Sequence, residues 1–377
     1  LEDLVKDGIK NIPAYIPGDT AESVEKKYGI APEDILKLAS NENQFGPSPK
    51  AVEAMAKEVG RVHIYPDPFC IEIRKKIGVM NGFDDSGDNV VIAVGASGIL
   101  SLLGEVFIKK GDEVIFCEPT FGAYAGAVIR NDGTPVVLPL TEDLKFDLKA
   151  MYNAITDKTK MICICNPNNP TSSAILRSDM ERLLTFCEQH DIFVMIDETY
   201  VEFAPVIEDV TAVPFTKTFK NLMVLRGVSK FFAAPGVRLG YGITGNMPFL
   251  KAMKEKQIPW SLNSLGAFAG ELMLKDEEYI RQTRRLILSE REKMYSALKE
   301  QPAYKTYKPY ANFLLVKLLQ KETTAFDVFT HCVKNGLMIR DCSSFKSLDG
   351  EFIRFCVMDS KDNQRLLDEL SFLCRQK

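Results

Sequence analysis

Six short apolar runs punctuate the first two thirds of the chain, at residues 89–94, 112–119, 134–140, 161–167, 192–198 and 221–228. Runs such as MICIC and IFVMI carry no polar alternation, the pattern of strands covered on both faces. Helical patterns lie between them at 95–108, 122–131 and 177–191, the last with Ser178 as its expected N-cap. Strands alternating with helices predict an α/β fold built on a mostly parallel sheet with helices on both faces.

From about Gly266 the pattern changes. Residues 276–300 read as one long charged helix, with Leu286, Ile287, Met294 and Leu298 as its core-facing stripe. Two strands follow at 311–318 and 351–357, then a closing helix at 363–376, which together predict a smaller α+β domain. The first forty-odd residues are turn-rich and end in LASNENQFGPSP. There Pro47 and Pro49 mark a turn before a helix at 50–60. The expected division is an N-terminal arm at 1–44, a large domain at 45–270 and a small C-terminal domain at 271–377.

Composition narrows the function classes. The 377 residues are 46% hydrophobic and 26% charged, enough for a large core and unlike a disordered chain. A net charge of −4 with both signs interspersed offers no basic face for nucleic acid. No apolar run has the length of a membrane span, and the first residues lack a signal-peptide pattern. Nine cysteines without a C-x-x-C read as buried free thiols, hence a reducing, cytoplasmic setting. Three scattered histidines offer no metal-ligand spacing, so no metal is expected.

In doubly wound sheets ligands gather where the strands end. The polar residues just past each run are Gly95-Ala96-Ser97-Gly98, then Thr120 and Phe121, the Asn166–Thr171 cluster, Asp197 with Tyr200, and Ser229-Lys230. Each alone has an ordinary explanation: a tight connection, a turn, a helix cap or a surface lysine. Together they match the needs of pyridoxal 5'-phosphate. That cofactor requires a lysine amine, an acidic or arginine partner for its ring nitrogen and an anion nest for its phosphate. Asn169 and Tyr200 can donate to the phenolate oxygen, the Gly95–Gly98 turn with Ser229 and Arg238 can hold the phosphate, and Phe121 offers a flat face. The G-x-G-x-x-G fingerprint is absent, which disfavours a nicotinamide enzyme.

In order and spacing, Asn169-Pro170, Asp197-x-x-Tyr200, Ser229-Lys230 and Arg238 resemble the pyridoxal phosphate enzymes of fold type I, the aspartate aminotransferase superfamily. The resemblance implies a mostly parallel seven-stranded sheet. It also implies Lys230 as Schiff-base lysine and proton shuttle, Asp197 on the pyridine nitrogen, and Asn169 and Tyr200 on O3′. Ala96, Ser97, Ser229 and Arg238 would hold the phosphate, and Phe121 would stack on the ring. AYIPG (14–18), LASNENQFGPSP (38–49), YPDP (65–68) and NPNNPT (166–171) resemble the histidinol-phosphate aminotransferase branch. That branch implies ping-pong amino transfer to 2-oxoglutarate by a homodimer, in which Tyr65 of one subunit reaches the cofactor phosphate of the other. It further implies Arg354, Arg340 and Tyr15 as substrate contacts.

Three positions depart from the family pattern. Gly227 stands where a threonine or serine is usual, Ser172 where a glycine is usual, and Gly98-Ile99 where acidic residues are usual. KQIPWSLNSLGAFAG (256–270), SKFFAAPGVRLGY (229–241) and IRDCSSF (339–345) resemble the threonine-phosphate decarboxylases, whose N-terminal His-Gly-Gly motif is absent here. Decarboxylation is therefore the rival expectation, and a non-catalytic cofactor-binding regulator a remote one.

Overall fold

The computed structural model describes residues 7–10, 12 and 19–375. Seven strands form the large sheet: β1 Val90–Val94, β2 Glu113–Glu118, β3 Thr134–Pro139, β4 Thr159–Cys165, β5 Phe193–Asp197, β6 Leu222–Gly227 and β7 Leu239–Ile243. Their order is β1-β7-β6-β5-β4-β2-β3, and only β7 runs antiparallel to its neighbours. The central strands β5 and β6 are buried almost throughout, as their unbroken apolar runs require, whereas the edge strand β3 is half-exposed.

Strand β7 was not among the apolar runs, because LGYGI alternates glycine with large residues. The reason is steric. A Cβ on Gly240 would lie 2.1 Å from the Gly95 carbonyl carbon and 2.3 Å from the Ala96 nitrogen. Glycine lets helix α1 (Gly95–Phe107) sit directly on β7. The 177–191 helix begins at Arg177, so Ser178 lies inside its first turn instead of capping it; the extended residue before the helix is Leu176, which makes no side-chain cap.

A second, antiparallel sheet lies in the C-terminal part: β8 Tyr304–Thr306, β9 Phe313–Leu318, β10 Arg340–Asp341 and β11 Phe352–Cys356, in the order β10-β11-β9-β8. Its short members β8 and β10 fall below the length at which periodicity is readable. The long helix α2 (Glu277–Lys299) buries Tyr279, Thr283, Ile287, Glu290, Arg291, Met294 and Leu298, while Leu286 is half-buried. Upstream, residues Leu36–Lys37 pair in parallel with Leu337–Met338, and the Leu38 carbonyl accepts from the Cys356 N–H at 2.9 Å. The chain then runs from this small sheet to the end of the large one, where residues 40–43 meet the strand-end residues.

All nine cysteines are unpaired, and all but Cys374 are buried. Among the described residues, no helix is long and apolar enough to cross a membrane, and no group of acidic, histidine or cysteine side chains is placed to hold a metal ion.

Candidate active site

The carboxyl ends of β1, β2, β4, β5 and β6 share one edge of the large sheet, and the predicted polar residues collect there. At the end of β1, α1 starts without any side-chain cap, leaving the first N–H groups, around Ala96 and Ser97, free to meet an anion. Gly95 has φ +72°, and a Cβ there would lie 2.5 Å from Arg238 Nη2. Only glycine leaves room for that guanidinium beside the helix start. Arg238 is itself left-handed, with φ +59°; its carbonyl accepts from the Gly95 N–H at 2.7 Å and its Nη1 donates to the Pro235 carbonyl at 2.9 Å. Gly227 faces the same turn: a Cβ would lie 3.1 Å from the Leu239 carbonyl oxygen and 3.9 Å from the Ala96 nitrogen. A side chain there would be tight against the Leu239 carbonyl but in ordinary contact with the helix start.

Asp197 closes β5 and is buried. Its Oδ2 accepts from the Tyr124 hydroxyl at 2.9 Å; its Oδ1 accepts from the Thr199 N–H at 3.0 Å and the Thr199 hydroxyl at 2.6 Å. Burial raises its pKa, while the Thr199 and Tyr124 donors pull it back down. The half-buried Lys230 Nζ donates to the Ser40 carbonyl at 2.7 Å. Burial, and then the nearby Arg354 charge, push its pKa down to about 8, with Glu42 opposing. Ser229 lies half-buried beside it. The Tyr200 hydroxyl accepts from Asn41 Nδ2 at 3.3 Å, and burial holds its pKa well above the ordinary phenol value.

Arg354, on β11, brings the small sheet to this edge. It is buried, donates from Nη1 to Asn169 Oδ1 and from Nη2 to the Ala39 carbonyl at 2.7 Å, and its Nε has no partner. No carboxylate among the described residues pairs with it; its guanidinium lies over the Phe313 ring, 5.3 Å from the centroid. Burial lowers its pKa. A buried guanidinium left without a counter-ion is a site for an anion. Arg340, on the neighbouring β10, donates from Nη2 to the Ser344 hydroxyl at 2.6 Å.

Lys230, Asp197, Tyr200, Asn169 and Arg354 are thus assembled around the strand ends, and Ala96, Ser97 and Arg238 around the helix start. Phe121 packs edge-on against Tyr124, with centroids 5.8 Å apart. Tyr65 stands apart: it is 81% exposed and its ring contact is with Trp260 at 5.2 Å, in an open groove of about 460 Å³. Tyr15 lies outside the described residues.

Sequence reasoning missed Ser40, Asn41, Tyr124 and Thr199. The first two lie inside LASNENQFGPSP, a stretch that carries the family resemblance without marking a role for either; Tyr124 lies three residues beyond Phe121 on a short apolar helix, where nothing marks it as polar machinery. Ser172 is also explained. It is buried with φ +59°, and its hydroxyl accepts from the Tyr310 N–H at 3.1 Å and the Ala311 N–H at 2.9 Å, joining the Asn169 turn to the lead-in of β9.

The pattern described as aminotransferase class I and II matches residues 33–370. A histidinol-phosphate aminotransferase of Methanocaldococcus jannaschii is 35% identical over 370 residues, covering 97% of this chain and 96% of that protein. The crystal structure of the histidinol-phosphate aminotransferase from Clostridium acetobutylicum superposes with a TM-score of 0.84 at 27% identity, covering 91% of this chain and all of that one. The L-threonine-O-3-phosphate decarboxylase from Porphyromonas gingivalis shares the fold, with a TM-score of 0.79 at 22% identity over 90% of this chain and 99% of that one. The chain belongs to the class I and II aminotransferases.

Proposed function

We propose that this protein is a pyridoxal 5'-phosphate-dependent histidinol-phosphate aminotransferase, moving an amino group from a phosphate-bearing or aromatic amine to 2-oxoglutarate by a ping-pong route. The observation that carries this is the presence at one edge of a half-buried lysine of depressed pKa and a buried arginine that no carboxylate among the described residues neutralises. Near-full-length similarity to enzymes of that name supports the choice among aminotransferases.

The residues present fit the cofactor. The Gly95 cradle, which a Cβ would fill, leaves Arg238 and an uncapped helix start to meet a phosphate, with Ala96, Ser97 and Ser229 alongside. Asp197 would hold the pyridine nitrogen, Asn169 and Tyr200 the phenolate oxygen, and Phe121 a ring face. When bound, the cofactor supplies an aldehyde that condenses with amines and a protonated ring that withdraws electrons.

This chain's own residues do the rest. Lys230 Nζ, with its pKa near 8, is partly unprotonated at neutrality and can take and return a proton. Asp197, fixed by three donors, is oriented where a cationic ring nitrogen would meet its carboxyl. Arg354 binds the substrate's anionic end and Arg340 helps in the phosphate-bearing substrate complex, with guanidinium forks suited to both carboxylate and phosphate. Tyr15 would join them in the substrate complex.

We carry the same reading to the assembly: a cytoplasmic homodimer in which Tyr65, exposed beside Trp260, reaches the cofactor phosphate of the partner subunit. On this reading the chain divides into an arm at 1–44, a large domain at 45–270 and a small domain at 271–377. The test is a single-turnover spectrum of the holoenzyme. Histidinol phosphate is expected to shift the cofactor's absorption and 2-oxoglutarate to restore it. Carbon dioxide release from phosphothreonine, with no such shift from histidinol phosphate, would replace this function with the decarboxylase one.

A further inference from the structure

Arg340 and Arg354 are directly opposed on adjacent antiparallel strands. Like charges in that register repel. Among the described residues no carboxylate forms an ion pair with either; Asp341, the nearest acid in sequence, has its Oδ1 engaged by the Ser343 N–H at 2.8 Å. What both guanidiniums share is one aromatic ring. Each lies over Phe345, with its carbon 5.8 Å from the ring centroid. The negative face of a ring attracts a cation without neutralising it and without occupying its N–H donors. An acidic residue in the same place would form an ion pair with the arginines and compete with any anionic ligand.

Phe345 is itself positioned by its loop. Its N–H donates to the Cys342 carbonyl at 2.9 Å, and its carbonyl accepts from the Leu348 N–H at 3.3 Å, with Leu348 fully buried beneath. Next to it, Lys346 reaches across to Glu118 at the end of β2, 3.8 Å away. The ring therefore stands on a loop tied to both sheets, between two cations that need holding together when no ligand is present.

We propose that Phe345 is a specificity-determining residue: its ring holds Arg340 and Arg354 as a pair, matched to ligands that carry two anionic groups rather than one. This rests on the anion-binding role proposed above for the two arginines. A ligand with one carboxylate needs only Arg354, which Phe313 and Asn169 hold independently. A ligand with a carboxylate and a second anion needs both guanidiniums at a fixed separation, and that separation depends on the shared ring.

The test is calorimetric binding of succinate and of propionate to the holoenzyme, which reads anion recognition without turnover. Phe345→Leu keeps apolar bulk and removes the ring face. It is expected to weaken succinate about tenfold, the size of a lost cation–π contact, and propionate by no more than about twofold. Phe345→Tyr restores a ring and is expected to bind succinate as the wild type does. Equal weakening of both ligands, or Phe345→Leu binding succinate like the wild type, overturns the inference. Arg354→Met and Arg340→Met separate the two ideas. If they weaken succinate and Phe345→Leu does not, only the role of Phe345 falls. If neither arginine variant changes succinate binding, the anion-binding role falls and takes this inference with it.

Discussion

Arg226, on β6, and Arg354, on β11, are both arginines held largely out of water, yet their surroundings are opposite. Arg226 donates from Nε at 2.9 Å and Nη2 at 2.7 Å to Glu198 Oε2, and from Nη2 also to the Thr211 hydroxyl at 2.8 Å. Glu198 is fully buried and its other oxygen accepts from the Ala212 N–H. That cluster is complete. Arg354 has two neutral oxygens, two aromatic faces and an unpartnered Nε. A buried cation with its counter-ion ties a fold together; one without it leaves room for a ligand's charge.

The comparison can be broken at several points. Lys230→Ala removes an amine at this edge whose pKa, about 8, lets it exchange a proton near neutrality. It is expected to lower turnover by about 10³-fold or more and to abolish the cofactor's lysine-dependent absorption. In the wild-type protein, capture of pyridoxal phosphate should rise with pH and level off above about 8, following loss of the Nζ proton. The sign follows from burial. The folded state binds fewer protons at this lysine than the unfolded chain between about 8 and its ordinary 10.5, so the penalty for burying the charged amine is relieved as pH rises through that window. A capture profile that keeps rising to 10.5 would show an unperturbed lysine.

Arg226→Met should destabilise the fold by about 3–5 kcal/mol, because Glu198 is left buried and unpaired. Chemical denaturation measures it, and adding Glu198→Gln should recover part of the loss. Arg354→Met should do the reverse: thermal stability is retained while kcat/KM falls about 100-fold, the loss of a charge-assisted pair of about 3 kcal/mol. If Arg354→Met unfolds the protein and Arg226→Met leaves it stable, the contrast is wrong.

The smallest effect concerns the joint between the two sheets. Ser172→Ala removes the hydroxyl acceptor of the buried Ala311 N–H, while the Tyr310 N–H keeps the Ser172 carbonyl at 2.8 Å, and should cost about 1 kcal/mol. Ser172→Gly loses the same acceptor but relieves the left-handed backbone, so it should be the milder change. Equal stability of the two variants would mean the positive φ carries no penalty there.

Much of this was legible along the chain. Six of the seven large-sheet strands are continuous apolar runs; burial on both faces demands this of the central strands, while the edge strand β3 is half-exposed. β7 was illegible, since its glycines answer to α1 pressing on it rather than to any local preference. Lys230, Asp197, Asn169 and Tyr200 were legible by their order after the strands. Tyr124 and Asn41 were not, because a hydrogen bond to a residue 73 or 159 positions away leaves no local trace.

The sequence by itself determined the α/β alternation, the set of strand-end residues and, through them, the cofactor class. Periodicity and turn chemistry are local properties, and each strand end presents its polar residue wherever the chain goes next. Tertiary structure alone decided which charges are answered. Arg226 and Arg354 look equivalent in a string of letters; only the packing of β5 against β6, and of β11 against the large sheet's edge, gives one a carboxylate and leaves the other waiting for a ligand.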